Sequence, residues 1–132
     1  DNDLDYYKKF LLKHISKKLI CTNPDLIVHR GNTEELCAGS VAKVFEDLGG
    51  EVIYFGKPHK EIYNMCFGSN EKVLAIGDNL RTDIKGANNL KIDCIFISEG
   101  VHRKELNNFS DLNKLLKKYE VKANFFQKEL KW

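Results

Sequence analysis

Long apolar runs are the most conspicuous absence from this sequence of 132 residues. The longest hold only a few residues, such as Leu26, Ile27 and Val28, whereas a membrane-spanning helix needs about 20. No basic segment followed by an apolar one opens the chain, so no secretory signal is recognisable. The first residue is Asp1 rather than Met, which indicates a trimmed N-terminus. We therefore expect no membrane partner.

A charge excess of one sign and clustered cysteines are also missing. Twenty-one Lys and Arg residues against 19 Asp and Glu leave a net charge of +2, too balanced for a nucleic-acid-binding surface. The four cysteines, at positions 21, 37, 66 and 94, form no CxxC motif and no close pair with a histidine, so neither a zinc site nor a redox motif is predicted. We expect small buried side chains in a reducing, cytoplasmic compartment.

The sequence does contain an alternation of helical periodicity with short β-branched runs. An apolar fraction of 42% and a charged fraction of 30% suffice for one domain with a buried core. Predicted strands cover residues 19–21, 52–55, 73–76 and 94–97, and residues 121–132 are expected to include a short extended segment. Predicted helices cover residues 4–18, a segment from Thr33 as N-cap to Gly49, a segment through Ile62 and Met65, residues 81–90, and a basic segment from Ser110 as cap to Tyr119.

Strands, loops and helices at this spacing predict βαβ units, and hence an α/β fold with a parallel sheet covered by helices. In open parallel sheets, ligands bind outside the carboxyl ends of the strands. Three loops at such ends hold unusual residues: CTNPD at 21–25, FGKPH at 55–59 and IGDNLRTD at 76–83. We therefore expect the functional residues in these three loops.

The loop IGDNLRTD places two carboxylates near one strand end. Gly77 is expected to let the backbone turn sharply, so that Asp78 stands at the sheet edge and Asp83 follows on the first helical turn. Carboxylates in this arrangement suit Mg²⁺, a hard ion that takes oxygen ligands. The alternative is that Asp78 is a turn residue and Asp83 merely favours a helix N-terminus.

A lysine between glycine and proline ends the preceding predicted strand. Gly56 and Pro58 restrict the backbone on either side of Lys57, which aims its ammonium group and suits an anion such as phosphate. The alternative is a surface lysine beside a turn. Together with the carboxylates, however, a fixed lysine makes up part of a phosphoryl-transfer site.

These residues carry a resemblance to a known family. The segment FGKPHKEIY, followed by VLAIGDNLRTDIKGANNLKIDCIFISEGVHR, resembles class IIA of the haloacid dehalogenase (HAD) superfamily, its phosphatase-like branch. The upstream TNPD matches that class, as does a closing L-x-W formed by Leu130 and Trp132. The resemblance covers nearly the whole chain, and it implies a parallel-sheet, Rossmann-like core.

The resemblance also implies roles for single residues. Lys57 matches the lysine that binds the transferring phosphoryl group and orients the nucleophile, Asp78 matches a Mg²⁺ ligand, and Asp83 matches an aspartate that supports the metal shell. Residues 1–55 correspond to the C-terminal remnant of an α/β cap domain, and residues 56–132 to the C-terminal half of the core. Expected substrate-binding residues are Asn23 and, in the loop after it, His29, together with Asn79; for His29 a solvated loop is the alternative.

The family's nucleophile motif is not identifiable in this sequence. Members start catalysis with an Asp-x-Asp at the end of the first core strand, which forms an aspartyl-phosphate and supplies a general acid and base. Asp1 and Asp3 have that spacing, but no apolar strand precedes them, and we interpret them as a frayed helix start.

Three interpretations therefore stay open. The first is part of a Mg²⁺-dependent phosphate monoester hydrolase that acts on a small phosphorylated metabolite and whose nucleophile segment is absent from this chain. The second is a non-catalytic remnant, or a half that associates with a separate N-terminal chain. The third is a small flavodoxin-like nucleotide-binding domain. If a central strand is absent, strands 73–76 and 94–97 leave an unpaired apolar sheet edge, which predicts a homo-oligomer or a poorly stable monomer.

Overall fold

The computed structural model describes residues 4–68, 70–106 and 108–131. Asp1 and Asp3, interpreted as a frayed helix start, and Trp132 of the L-x-W motif lie outside these residues. The chain divides into two compact units, Asp1–Gly56 and Lys57–Trp132. The division falls one residue from the predicted boundary, while the correspondence of the units to cap and core stays a prediction.

The described residues of the first unit, 4–56, form two helices and two small sheets. Its helices are α1 (Leu4–Leu12) and α2 (Ala38–Asp47), and its strands are β1 (Lys18–Cys21), β2 (Ile27–Arg30), β3 (Thr33–Leu36) and β4 (Glu51–Tyr54). Strands β1 and β4 pair in parallel, and β2 and β3 form an antiparallel hairpin. Helix α2 contacts α1, β1 and β4, and it buries Ala42 and Phe45.

The helix predicted with Thr33 as its N-cap has its N-cap four residues later, at Cys37, and begins at Ala38. Thr33 instead opens β3 and pairs with Arg30 across the hairpin. Gly31, at φ +59°, occupies the left-handed conformation that a two-residue hairpin turn requires. Cross-strand hydrogen bonding therefore prevails over the capping signal of Thr33. Helix α1 is also shorter than predicted, because residues 13–17 form turns before β1.

The second unit is built around a three-stranded parallel sheet of order β5–β6–β7, which confirms the predicted α/β class. Its elements are α3 (Lys60–Asn64), β5 (Leu74–Gly77), a π-helix (Leu80–Ile84) that continues into α4 (Lys85–Leu90), β6 (Asp93–Ile97), a 3₁₀-helix (Phe109–Asp111), α5 (Leu112–Lys118) and β7 (Phe125–Gln127). Strand β7 is the extended segment expected near the end of the sequence. None of the described helices is long and apolar enough to cross a membrane.

One face of this sheet is covered and the other is open. The covered face belongs to a core of buried side chains: Leu80, Ile84, Ala87, Cys94, Phe96, Leu112, Leu115 and Val121. Ala75 packs against this core, whereas its neighbours in β5, Leu74 and Ile76, are 47% and 42% exposed. Phe125 of β7 is 55% exposed. Strand β5 pairs only with β6 among the described strands, so it is an edge strand. The unit therefore carries an apolar face without a described cover.

Two asparagine side chains attach β7 and the segment before it to the rest of the unit. The amide of Asn88 donates to the carbonyl of Lys122 (2.8 Å) and accepts from its N–H (2.7 Å), as a strand residue would. Asn124 Oδ1 accepts from the N–H of Cys94 at 3.0 Å. These bonds satisfy backbone groups that the end of a short sheet leaves without strand partners.

The cap predicted for the last helix of this unit is wrong. Ser110 does not cap α5: it lies within the 3₁₀-helix, its hydroxyl donates to Asn108, and α5 begins at Leu112.

The four cysteines are free, and burial raises the thiol pKa of Cys21 and Cys94, as expected for buried side chains. Cys66, however, is exposed, because it follows α3, a helix with no buried residue.

Candidate functional site

Lys57 and Asp83 form an ion pair at the carboxyl end of β5. Lys57 Nζ lies 2.5 Å from Asp83 Oδ1, and the Asp83 side chain is only 12% exposed. The other carboxylate oxygen of Asp83 accepts from the backbone N–H of Asn79 at 3.1 Å. Asp83 therefore connects the ammonium group of Lys57 to the loop that follows β5.

Gly77 has a different role from the one predicted. Its φ lies outside the left-handed region, so it is not needed for a sharp turn. A Cβ at this position would instead overlap the carboxylate of Asp83, which packs directly against the backbone. Glycine at the last position of β5 is therefore required for the close approach of Asp83.

Asp78 is held by the loop that follows the neighbouring strand, β6. The backbone N–H of Val101 donates to Asp78 Oδ2 at 2.9 Å. A Cβ on Gly100 would overlap the same carboxylate, so this loop passes in contact with it. Among the described residues, Oδ1 of Asp78 accepts no hydrogen bond. One oxygen of Asp78 is thus fixed and the other is available to a ligand.

A buried histidine, missed in the sequence, joins the same two loops. His102 is 1% exposed, and its Nε2 accepts from the backbone N–H of Leu80 at 3.1 Å. Because Nε2 accepts a hydrogen bond, the ring proton of the neutral imidazole is on Nδ1, which lies 2.6 Å from Oε1 of Glu105. The only sequence signal was the position of His102 within the GVHR segment of the family resemblance.

Glu105 holds the imidazole of His102 at Nδ1, on the side of the ring opposite the Leu80 bond. Lys118 Nζ lies 2.6 Å from its Oε2, and the hydroxyl of Tyr119 donates to its Oε1 at 2.8 Å. Burial by itself would raise the pKa of Glu105, but hydrogen bonds from Lys118, His102 and Tyr119 outweigh it and bring the pKa to about 2. Glu105 is therefore a carboxylate at neutral pH, bound from three directions.

Tyr63 was also missed, and it lies close to the ion pair. Its hydroxyl packs against Gly86, where a Cβ would overlap it. Burial raises the pKa of Tyr63, the negative charge of Asp83 raises it further, and the positive charge of Lys57 lowers it. Its phenol is therefore protonated at neutral pH, and a glycine in α4 makes room for it.

The structure brings together four of the six predicted site residues, Lys57, Asp78, Asn79 and Asp83, around one strand end. Asn79 is 5% exposed, and its Oδ1 accepts from the N–H of Arg81 at 3.0 Å, which caps the π-helix. The other two lie in the first unit, and a substrate contact of Asn79 or of either of these stays a prediction.

The two residues of the first unit have their own surroundings. Asn23 follows β1, and its Oδ1 accepts from the N–H of Asp25 at 3.3 Å. His29 lies in strand β2 rather than in a loop, because β2 pairs with β3. Its side chain is 9% exposed, and its Nε2 lies 3.3 Å from Oε2 of Glu34, the residue opposite it in the hairpin.

The donor set at the end of β5 fits a hard cation in part. Asp78 offers one carboxylate oxygen that is not engaged by the described residues, which suits a direct ligand of Mg²⁺. Both oxygens of Asp83 are already engaged, by Lys57 and by the N–H of Asn79, which suits a supporting role. The described residues hold no group of three or more His, Cys, Asp or Glu side chains that could bind a metal by themselves.

Residues 54–122 of the chain match a family model described as HAD-hydrolase-like, which is slightly more than half of the sequence. The matched range includes Lys57, Asp78, Asn79, Asp83 and His102. No curated protein matches the sequence.

Several solved structures are similar to the chain. A hydrolase of the haloacid dehalogenase-like family from Brucella suis 1330 is 38% identical, with a TM-score of 0.69; the match covers 75% of this chain and 41% of that one. A possible sugar phosphatase from Cytophaga hutchinsonii (23% identity, TM-score 0.70, 98% and 48% covered) and NagD from E. coli K-12 (22%, 0.60, 95% and 48%) share the fold. The chain thus spans less than half the length of these proteins.

Proposed function

The chain belongs to the HAD-hydrolase-like family, and from this premise we propose that it is the C-terminal part of a class IIA phosphatase. The complete protein hydrolyses phosphate monoesters of small metabolites with Mg²⁺. The observation that carries this proposal is the Lys57–Asp83 ion pair beside Asp78 at the carboxyl end of a parallel strand. In this proposal Asp1–Gly56 is the remnant of the cap and Lys57–Trp132 is the second half of the core.

Lys57 binds the transferring phosphoryl group. Its ammonium group is already oriented by Asp83, so little reorganisation is needed when anionic oxygens arrive. A positive charge fixed beside the phosphoryl group stabilises the charge that develops in the transition state. Lys57 also orients the nucleophilic aspartate, which forms an aspartyl-phosphate.

Asp78 would hold the metal through Oδ1, while Val101 retains Oδ2, and Asp83 supports this arrangement by accepting from the N–H of Asn79, the residue after Asp78. Bound Mg²⁺ would supply charge neutralisation at the phosphate oxygens. The nucleophile and the general acid and base belong to a segment outside this sequence. Asn23, His29 and Asn79 are the proposed substrate contacts.

A direct test uses the protein encoded by the complete gene, assayed for phosphate release from a panel of small phosphate monoesters. We expect an upstream Asp-x-Asp segment, turnover that requires Mg²⁺, and loss of turnover when the first aspartate of that segment is replaced by Asn. The 132-residue chain alone should be inactive, because its sequence has no identifiable Asp-x-Asp nucleophile motif and only positioning and charge remain.

Two results contradict the proposal. Mg²⁺-dependent turnover by the 132-residue chain, abolished in Asp78→Asn, would show a nucleophile within this sequence. A complete gene without the Asp-x-Asp segment would favour the second candidate, a half that associates with a separate N-terminal chain. The exposed apolar face of Leu74 and Ile76 is the observation that favours that candidate.

A further inference from the structure

We propose that His102 is a positioning residue for Asp78, acting through the backbone of the loop in which Asp78 lies. This inference rests on the proposed function, in which Asp78 binds the metal. His102 itself does not contact the metal or the substrate in this proposal. It determines where the carboxylate of Asp78 is held.

Two hydrogen bonds that run in opposite directions join the loops after β5 and β6. The N–H of Val101 donates to Oδ2 of Asp78, and the N–H of Leu80 donates to Nε2 of His102. Donor and acceptor alternate between the loops, so neither loop can move along the other without breaking both bonds. The second bond therefore keeps the first in register.

The Leu80 N–H has a particular need for this partner. Leu80 is fully buried and begins the π-helix, where its N–H precedes the first hydrogen bonds within the helix. A buried N–H without an acceptor is unfavourable, so loss of the imidazole favours a shift of the loop toward another partner. Such a shift moves Asp78, which lies two residues before Leu80.

The imidazole is itself fixed in one orientation. Glu105 receives its Nδ1–H, and Lys118 and the hydroxyl of Tyr119 hold Glu105 in turn. The ring of Tyr119 also packs edge-on against the imidazole, with centroids 4.7 Å apart. A chain of contacts thus runs from α5 to Asp78. Removal of a residue that hydrogen-bonds a metal ligand commonly changes metal affinity about 10–100-fold, and we expect an effect at the lower end of this range for His102, which acts one contact further out.

The test compares two amide replacements in the complete protein. The amide of Gln reaches about as far as Nε2 and can accept from Leu80, whereas the amide of Asn reaches only about as far as Nδ1. We expect His102→Asn to weaken Mg²⁺ binding about tenfold and His102→Gln to stay within about threefold of wild type. Both are measured by calorimetric titration with Mg²⁺ and by the Mg²⁺ concentration for half-maximal phosphate release.

Asn88→Ala is the matched control, because it removes a pair of hydrogen bonds from the same unit at a place away from Asp78. It should lower the melting temperature and leave Mg²⁺ affinity unchanged. If His102→Asn does not fold, Glu105→Ala replaces it. That variant keeps the imidazole but removes its anchor, and we expect its Mg²⁺ affinity to fall by more than about threefold, beyond the range of His102→Gln; an affinity equal to that of wild type would overturn the inference.

The inference is overturned if His102→Asn binds Mg²⁺ as wild type does, or if the Asn and Gln variants lose the same affinity. An equal loss in Asn88→Ala overturns it as well, since the effect would then follow stability alone. Asp78→Asn distinguishes a wrong metal assignment of Asp78 from a wrong positioning role of His102. If it leaves Mg²⁺ binding intact, the metal assignment in the proposed function is wrong; if it abolishes binding while His102→Asn does not weaken it, only the positioning role fails.

Discussion

Asp83 holds Lys57 in place from 26 positions further along the chain, with Nζ and Oδ1 2.5 Å apart. The Asp83 side chain is largely buried, whereas the Lys57 side chain is 46% exposed. The geometry of this accessible cation is therefore set before an anion such as the proposed phosphate arrives. Preorganised charge of this kind costs no rearrangement at the moment of reaction.

The first prediction separates the role of the lysine from that of the metal-binding aspartate. In the complete protein, Lys57→Ala should lower kcat about 10²–10³-fold and leave Mg²⁺ affinity unchanged, because the lysine acts on the phosphoryl oxygens. Asp78→Asn should weaken Mg²⁺ binding by more than about tenfold, since a neutral amide is a poorer ligand for a hard cation. Lys60→Ala, at the start of α3, is the control. Equal losses of metal affinity in Lys57→Ala and Asp78→Asn would show that the roles are assigned wrongly.

The second prediction concerns the close approach at the end of β5. Gly77→Ala should lower the free energy of unfolding by about 1–3 kcal/mol, because the added Cβ overlaps the carboxylate of Asp83. In Gly68→Ala the new Cβ meets only an oxygen of Glu71 at 3.5 Å, an ordinary contact, and stability should change little. Urea unfolding of the 132-residue chain measures both. If Gly77→Ala left the free energy of unfolding unchanged, Asp83 would not pack against this backbone in solution.

The third prediction follows from the lowered pKa of Glu105. A carboxyl whose pKa falls from 4.5 to about 2 on folding stabilises the fold fully above pH 4.5, and this contribution is lost as the pH falls toward 2. Glu105→Gln should therefore be less stable than wild type by about 1 kcal/mol at pH 7, with a difference that narrows between pH 5 and pH 3. Urea unfolding across this range measures it. A difference that is constant with pH would contradict the assignment of the charge.

The fourth prediction concerns the open face and the edge strand of the sheet. Leu74, Ile76 and Phe125 are exposed, and one edge of β5 pairs with none of the described strands; such an edge is a template for another chain. We expect the 132-residue chain to form a homodimer or a larger assembly at micromolar concentration. Sedimentation should show dissociation in Ile76→Lys and no change in Glu99→Lys, an exposed polar control. A wild-type monomer with well-protected amides would contradict this expectation.

The sequence is informative where one residue has one strong reason to be in its place. The strands around β5 and β6 follow from their apolar runs, and Asp78, Asp83 and Lys57 follow from strand ends and the family resemblance. Thr33 is misleading because a capping residue and a strand residue can be the same amino acid, and only the turn at Gly31 decides between them. His102 could not be predicted, since its partner is the backbone N–H of Leu80, and a backbone group has no sequence signal.

The parallel direction of β5, β6 and β7 also has an evolutionary consequence. The loops that leave these strands lie at one rim of the sheet. There the N–H of Val101 donates to Asp78, and the N–H of Leu80 donates to His102. The turns that enter the strands lie at the opposite rim, as does the one around Lys91. Insertions and deletions among related genes should therefore accumulate at the entering turns, while the leaving loops keep a constant length.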